Sequence, residues 1–251
     1  MYLQITTKCN FHCPHCCYSC TMRGKHGDLN TIAAAIAFAR EQGDESISIG
    51  GGEPTLHPDF FAILSLCLDS FDYVWLATNG SQTESMFRLA RIIDDQDFES
   101  FALEDYCTCE TDEERDSCYC YPQDAIPNSD NKLSVALSQD KFHDDEVDPR
   151  IVQLWHSKAS RHQHSHFEIR DVSAHVIAAG RATKTGAGWE EGCVCSDLFI
   201  RPDGKIKLCG CTRAPVIGDV WAGIEPKWED VIRNNDKFND ERCYKALRRK
   251  K

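Results

Sequence analysis

Apolar and polar positions along the first 95 residues repeat one pattern three times: a short β-prone run, a turn-rich loop, then a stretch with one apolar side at helical spacing. Residues 3–7 predict a strand. Asp28-Leu29-Asn30 then caps a helix over 31–42, whose apolar side is built from Ile32, Ile36, Phe38 and alanines and which Gly43 stops. Residues 46–49 predict a second strand, and Pro58 suits the first turn of a helix reaching about residue 68. Residues 73–77 predict a third strand, with a helix over 84–93 behind it. Strand and helix in strict alternation predict a parallel sheet with helices outside, and sites in such sheets lie beyond the carboxyl ends of the strands.

The alternation breaks over 98–131 and resumes with a strand at 132–137, a helix at 150–159 and strands at 167–169 and 175–178. Beyond residue 192 the pattern becomes that of a hairpin turned at Pro202-Asp203-Gly204, with cysteines at both bases, followed by a helix-like stretch over 228–233.

At 251 residues and 41% hydrophobic content the chain can bury a full core, and it contains no run of eighteen apolar residues, which argues against a membrane span. Met1 leads directly into Tyr2-Leu3-Gln4-Ile5 with no basic or apolar leader, so a cytoplasmic address is expected. Fifteen cysteines in close-set clusters fit metal or cluster ligation in a reducing compartment better than a disulfide framework. The net charge of −12 argues against a broadly basic nucleic-acid face. Most of it is local: between Asp94 and Asp148 there are 18 acidic residues against Arg115, Lys132 and Lys141. This is an acidic insertion in a near-neutral body. The terminal Arg248-Arg249-Lys250-Lys251 reads as a solvated end.

The loop after the first strand carries Cys9-x3-Cys13-x2-Cys16. Three thiolates on so short a loop can hold a [4Fe-4S] cluster while leaving one iron unligated by protein. A tetrahedral zinc knuckle is the alternative, with His12, His15, Cys17 or Cys20 as the further ligand. The cysteine motif resembles that of the radical S-adenosylmethionine (SAM) enzymes, and Gly51-Gly52-Glu53-Pro54 after the second strand resembles their GGEP motif. The resemblance extends to Thr78-Asn79 at the third strand end and to Ser138 and Asp140 at the fourth. It implies a cluster on Cys9, Cys13 and Cys16 that chelates SAM through the open iron and cleaves it reductively to a 5'-deoxyadenosyl radical. Gly51, Gly52, Glu53, Thr78, Asn79, Ser138 and Asp140 would surround SAM. His15 stands where a larger aromatic residue usually packs by the adenine. The Glu53 carboxylate is expected to meet the SAM ammonium, and Cys17 and Cys20 are expected to be bystanders.

Two further cysteine groups stand apart. Cys107-x-Cys109 and Cys118-x-Cys120 bracket an eight-residue acidic loop and could close a structural zinc site, hold another iron–sulfur cluster, or remain free thiols. Cys193, Cys195, Cys209 and Cys211, with Cys243 further on, resemble the opening of SPASM and Twitch cluster domains, which implies one auxiliary [4Fe-4S] cluster. A zinc ribbon is the alternative. His162, His164 and His166 alternate, as an exposed linker or a metal-binding strand face, and His156 and His175 default to packing or surface roles.

The expected architecture is therefore α/β: a partial (β/α)6 TIM-like barrel over residues 1–185, interrupted by the cysteine-rich acidic insertion at 98–131, and a small cysteine-rich hairpin domain over 186–251. The expected activity is hydrogen abstraction from a peptide or protein side chain, with a nucleoside or small metabolite as the alternative substrate. An electron donor such as flavodoxin or ferredoxin is implied. A non-catalytic, zinc-stapled interaction protein is the rival from another class.

Overall fold

The computed structural model of the chain describes residues 1–95, 132–141, 143, 147–159, 166–171, 176, 179–188, 197–212 and 214–234. Strands β1 (Tyr2–Thr6), β2 (Ser46–Gly51), β3 (Tyr73–Thr78), β4 (Leu133–Ser138) and β5 (Phe167–Arg170) pair in parallel, each with the next in sequence. Every residue of β4 is buried, as expected of a central strand in a sheet covered by helices. The expectation of an α/β fold with a mostly parallel sheet is met.

The connecting helices start where local chemistry directs them. In α1 (Leu29–Glu41), Asp28 caps the first turn: its Oδ1 accepts from the Thr31 N–H at 2.9 Å and its Oδ2 from the Thr31 hydroxyl at 2.6 Å. Helix α2 (Phe60–Ser70) begins later than Pro58 suggests, because a 3-10 turn (Pro54–Leu56) follows β2 and Asp59 takes the N-cap position. Helix α3 (Thr83–Asp95) follows β3, and α4 (Pro149–Ala159) follows β4. The α4 residue Trp155 is fully buried, donating from Nε1 to the Val135 carbonyl at 3.1 Å and meeting Phe167 edge-on at 5.1 Å.

Helices α3 and α4 are also joined by a buried ion pair, Lys158 Nζ to Asp94 Oδ2 at 2.8 Å, with side-chain exposures of 7% and 1%. Lys158→Ala would leave a carboxylate charge in the interior without its ammonium, and is expected to lower the unfolding free energy by about 3 kcal/mol in urea denaturation. The paired change Lys158→Met with Asp94→Leu should recover most of that loss, because neither charge is then buried alone.

A helix of five residues, α5 (Arg181–Thr185), precedes the C-terminal part. There β6 (Phe199–Ile200) and β7 (Lys205–Lys207) form the predicted antiparallel hairpin, with Gly204 at φ +75° in its turn. Strands β8 (Val216–Asp219) and β9 (Gly223–Ile224) continue it, and α6 (Pro226–Asn234) follows. The hairpin is not detached from the main sheet. Tyr2 pairs with Phe199 and Leu3 with Ile200 in parallel, so the described strands form one sheet in the order β5-β4-β3-β2-β1-β6-β7-β8-β9. A sixth parallel strand, β6, thus lies beside β1, between it and the antiparallel strands β7 to β9.

The acidic insertion with Cys107, Cys109, Cys118 and Cys120 lies outside the described residues, as do Cys193, Cys195, Cys243, His162, His164 and most of the strand expected at 175–178. Among the described residues, no helix is long and apolar enough to cross a membrane.

Candidate active site

The loops leaving the carboxyl ends of β1, β2, β3 and β4 enclose a cavity of about 460 Å³. Of the residues singled out for one site, Cys9, Cys13, His15, Cys16, Gly51, Gly52, Thr78, Asn79, Ser138 and Asp140 all line it. Residues up to 131 positions apart converge because each sits at or beyond the carboxyl end of a parallel strand, where the sheet delivers every loop to the same edge.

Backbone and side-chain bonds fix how the loops meet. Gly52 N–H donates to the Thr6 carbonyl at 2.8 Å and Glu53 N–H to that of Lys8 at 2.9 Å, which ties the β2 loop along the start of the cysteine loop. A Cβ on Gly52 would lie 2.2 Å from the Lys8 carbonyl oxygen, so only glycine permits this approach. Asn79 joins the third loop: its Nδ2 donates to Asn10 Oδ1 at 3.1 Å and lies 4.0 Å from Cys9 Sγ, while its Oδ1 accepts from Ser81 N–H at 2.9 Å.

Glu53 departs from its expected use. It is fully buried and is not part of the cavity wall. Its Oε1 accepts from the Thr55 N–H at 3.1 Å and the Thr55 and Thr78 hydroxyls at 2.5 and 2.7 Å, and its Oε2 accepts from the Asn79 N–H at 2.7 Å. The carboxylate therefore binds the second loop to the third, and the glycines before it present backbone to the cavity.

The thiols differ sharply in acidity. Burial pushes Cys9 up to about 11 and Cys13 up to about 12. Cys16 is drawn down by a hydrogen bond from the Cys20 side chain, whose own thiol is pushed up in return. Cys20 is 3% exposed, and its Sγ lies 3.6 Å from the Gly51 carbonyl oxygen. Cys17 and Cys20 also reach the cavity wall.

The spread of the three cysteines bears on what they can hold. A tetrahedral zinc ion with bonds of about 2.3 Å would draw its sulfurs to within about 3.8 Å of one another. Among the described residues, the group whose ligand atoms all fall within 4.8 Å of one another is His15, Asp140 and His143, and the three motif cysteines do not form such a group. As placed, they do not form a ready pocket for a single ion. In the histidine group, Asp140 Oδ1 lies 2.9 Å from His143 Nδ1, the His15 and His143 rings meet edge-on at 5.4 Å, and burial lowers the His15 pKa.

Of the C-terminal cysteines, Cys209 and Cys211 are described and both are buried, next to the buried Lys207, whose Nζ donates to the Cys211 carbonyl at 2.5 Å. Sequence reasoning missed His143, three residues past Asp140, and gave no site role to Arg181, which bonds the cysteine loop from 168 residues away. The His143 spacing from Asp140 was a readable signal. Arg181 carried no such local signal.

Residues 3–103 match the family model described as Radical SAM superfamily. Over 84 residues the chain is 36% identical to the GTP 3',8-cyclase of Actinobacillus succinogenes, a stretch covering 31% of this chain and 25% of that protein. The chain thus matches about a quarter of that relative's length. In fold it is similar to BtrN in complex with AdoMet and 2-DOIA, with a TM-score of 0.56 and 13% identity over 96% of this chain and 84% of that one. It is also similar to anSMEcpe with bound AdoMet and Kp18Cys peptide, with a TM-score of 0.52 and 12% identity over 98% and 83% of the two chains.

Proposed function

We propose, on the premise that residues 3–103 belong to the radical SAM superfamily and that the chain is an enzyme of this type, that it cleaves SAM reductively and abstracts hydrogen from a substrate. The family implies a [4Fe-4S] cluster and SAM. Cys9, Cys13 and Cys16 would hold the cluster, which when bound supplies the electron that breaks the sulfonium bond to give a 5'-deoxyadenosyl radical. The observation that carries this reading is the convergence of those three cysteines on the cavity that Gly51 and Gly52 line.

The chain's own residues supply position and exclusion of water. Gly51 and Gly52 offer backbone at close range to the amino-acid part of SAM. Ser138 and Asp140 offer an oxygen-rich edge suited to ribose hydroxyls, and His15 offers a ring face near them. Asn79 fixes the depth of Cys9 relative to the β3 loop, and Glu53 holds Asn79. Residues 1–185 are taken as the partial (β/α)6 barrel of this reading and 186–251 as a Twitch-like module. An auxiliary cluster would draw on Cys193, Cys195, Cys209, Cys211 and Cys243, and the Cys107–Cys120 group would take zinc. An electron donor of the flavodoxin or ferredoxin class would reduce the catalytic cluster.

A peptide or protein side chain is the first substrate reading, because auxiliary clusters often accompany peptide maturation. The cavity sits in the lower half of the range of about 300–1,000 Å³ typical of small-ligand pockets, which suits one side chain entering beside the cofactor. The likeness to GTP 3',8-cyclase favours a nucleotide or small metabolite as the second reading. Anaerobic reconstitution tests the chemistry. A brown protein with about 7 to 8 iron per chain and SAM-dependent release of 5'-deoxyadenosine is expected. A colourless product holding only zinc, without SAM cleavage, would overturn the reading.

A further inference from the structure

The tip of the cysteine loop has few bonds of its own. Cys9 is anchored at the base, where its N–H donates to the Thr21 carbonyl at 3.0 Å, but between Cys13 and Ser19 the backbone bonds internal to the loop are Cys16 N–H to Cys13 O at 3.2 Å and Ser19 N–H to Cys16 O at 3.4 Å. What holds the tip comes from α5. The Arg181 guanidinium donates through one nitrogen to the Cys13 carbonyl at 2.9 Å and through another to the Cys20 carbonyl, while the Arg181 N–H donates to the Cys16 carbonyl at 2.9 Å. One turn further on, the Thr185 hydroxyl donates to the Pro14 carbonyl at 2.7 Å. Four loop carbonyls are thus held by a helix of five residues.

Gly180 makes this approach possible. Its φ is +58°, and a Cβ there would lie 2.0 Å from the Cys17 carbonyl oxygen. Any larger residue would lift Arg181 away from the loop.

We infer that Arg181 is a positioning residue for the catalytic cluster: its planar fork spans the Cys13 and Cys20 carbonyls, sets the separation of the ligand cysteines, and places a fixed positive charge beside their thiolates. The inference rests on the proposed assignment of Cys9, Cys13 and Cys16 as cluster ligands. A fork of rigid geometry can bond two acceptors on different stretches of backbone at once, which a lysine ammonium on a flexible stem does not reproduce. A guanidinium bonded to the Cys13 carbonyl at 2.9 Å attracts negative charge gathered on this loop. The same attraction favours the added electron when a cluster bound there is reduced, so removing the cation should make reduction harder.

The test compares reconstituted wild type with Arg181→Met, Arg181→Lys and Cys13→Ala. Circular dichroism establishes folding, redox titration gives the cluster midpoint, electron paramagnetic resonance with and without SAM reads cluster geometry, and 5'-deoxyadenosine is quantified. Arg181→Met is expected to shift the midpoint of the SAM-responsive cluster to more negative values, change its resonance line shape and cut SAM cleavage by about 10- to 100-fold, the range typical when a supporting partner of a metal ligand is lost. Arg181→Lys is expected to keep the midpoint near wild type, because the charge stays, yet to lose about tenfold in cleavage with an altered line shape, because the fork is gone. Should Arg181→Met fail to fold, Arg181→Lys alone decides. Wild-type line shape and cleavage in Arg181→Lys would overturn the inference, as would an unmoved midpoint in a folded Arg181→Met. A SAM-responsive signal that survives Cys13→Ala would instead refute the ligand assignment itself, whatever the arginine variants do.

Discussion

Replacing Cys13 by alanine is expected to abolish SAM-dependent formation of 5'-deoxyadenosine and to remove about half of the reconstituted iron. The argument is one of ligand count. Three thiolates leave one open iron on a cubane cluster, and with two the cluster has a second iron open to solvent and is lost or degraded. Among the described neighbours, Cys20 is held by its hydrogen bond to Cys16. Cys67→Ala serves as the control, because Cys67 is wholly buried on α2 and does not line the cavity. That variant should fold less stably and still cleave SAM. Iron analysis and chromatographic assay of 5'-deoxyadenosine check both, and cleavage retained without Cys13 would contradict the assignment of this loop.

The parts of the fold governed by local periodicity were legible in the chain. Helix α1 is an example, since Asp28 and Gly43 bracket an apolar side that only a helix can bury, and the Pro202-Asp203-Gly204 turn is another, since its positive φ falls on the glycine. The site was legible for the same reason. Parallel strands deliver their trailing loops to one edge, so knowing that Cys9, Gly51, Thr78 and Ser138 each lie at or beyond the carboxyl end of a strand is enough to bring them together. Interactions between distant segments were not legible. Nothing near Tyr2 announces that Phe199 will pair beside it, because a two-residue strand has no periodicity to read. Arg181 carries no local sign that the carbonyls of Cys13 and Cys20 are its acceptors. Glu53 was read as a carboxylate awaiting an ammonium, and no pattern in the Gly-Gly-Glu-Pro turn shows that β3 will end against it or that Thr55, Thr78 and Asn79 will donate to it.

That reassignment gives the second large expected effect. Glu53→Gln replaces an all-acceptor group with one that must point an N–H₂ at one end of the site. If the amide oxygen takes the Oε1 place, the N–H₂ faces the Asn79 backbone N–H, which cannot turn away; in the other orientation it faces the Thr55 N–H. Either way a buried donor meets a donor, at a cost of about 1–3 kcal/mol. The displaced segment carries Asn79, so the shift passes to Asn10 and Cys9, and SAM affinity should fall together with the urea midpoint. The pH dependence has a definite sign. Burial is the largest influence on Glu53 and raises its pKa above the ordinary 4.5, so the folded state binds the proton more tightly than the unfolded state does. Wild type therefore gives up stability as the pH rises from about 4.5 through the raised value, whereas the glutamine variant has no proton to lose there. The destabilisation caused by Glu53→Gln is thus expected to be largest on the acid side of that window and to narrow toward neutral pH. Urea midpoints that coincide for the two proteins across the range, with equal SAM affinity, would mean that the carboxylate is not what joins the β2 and β3 loops.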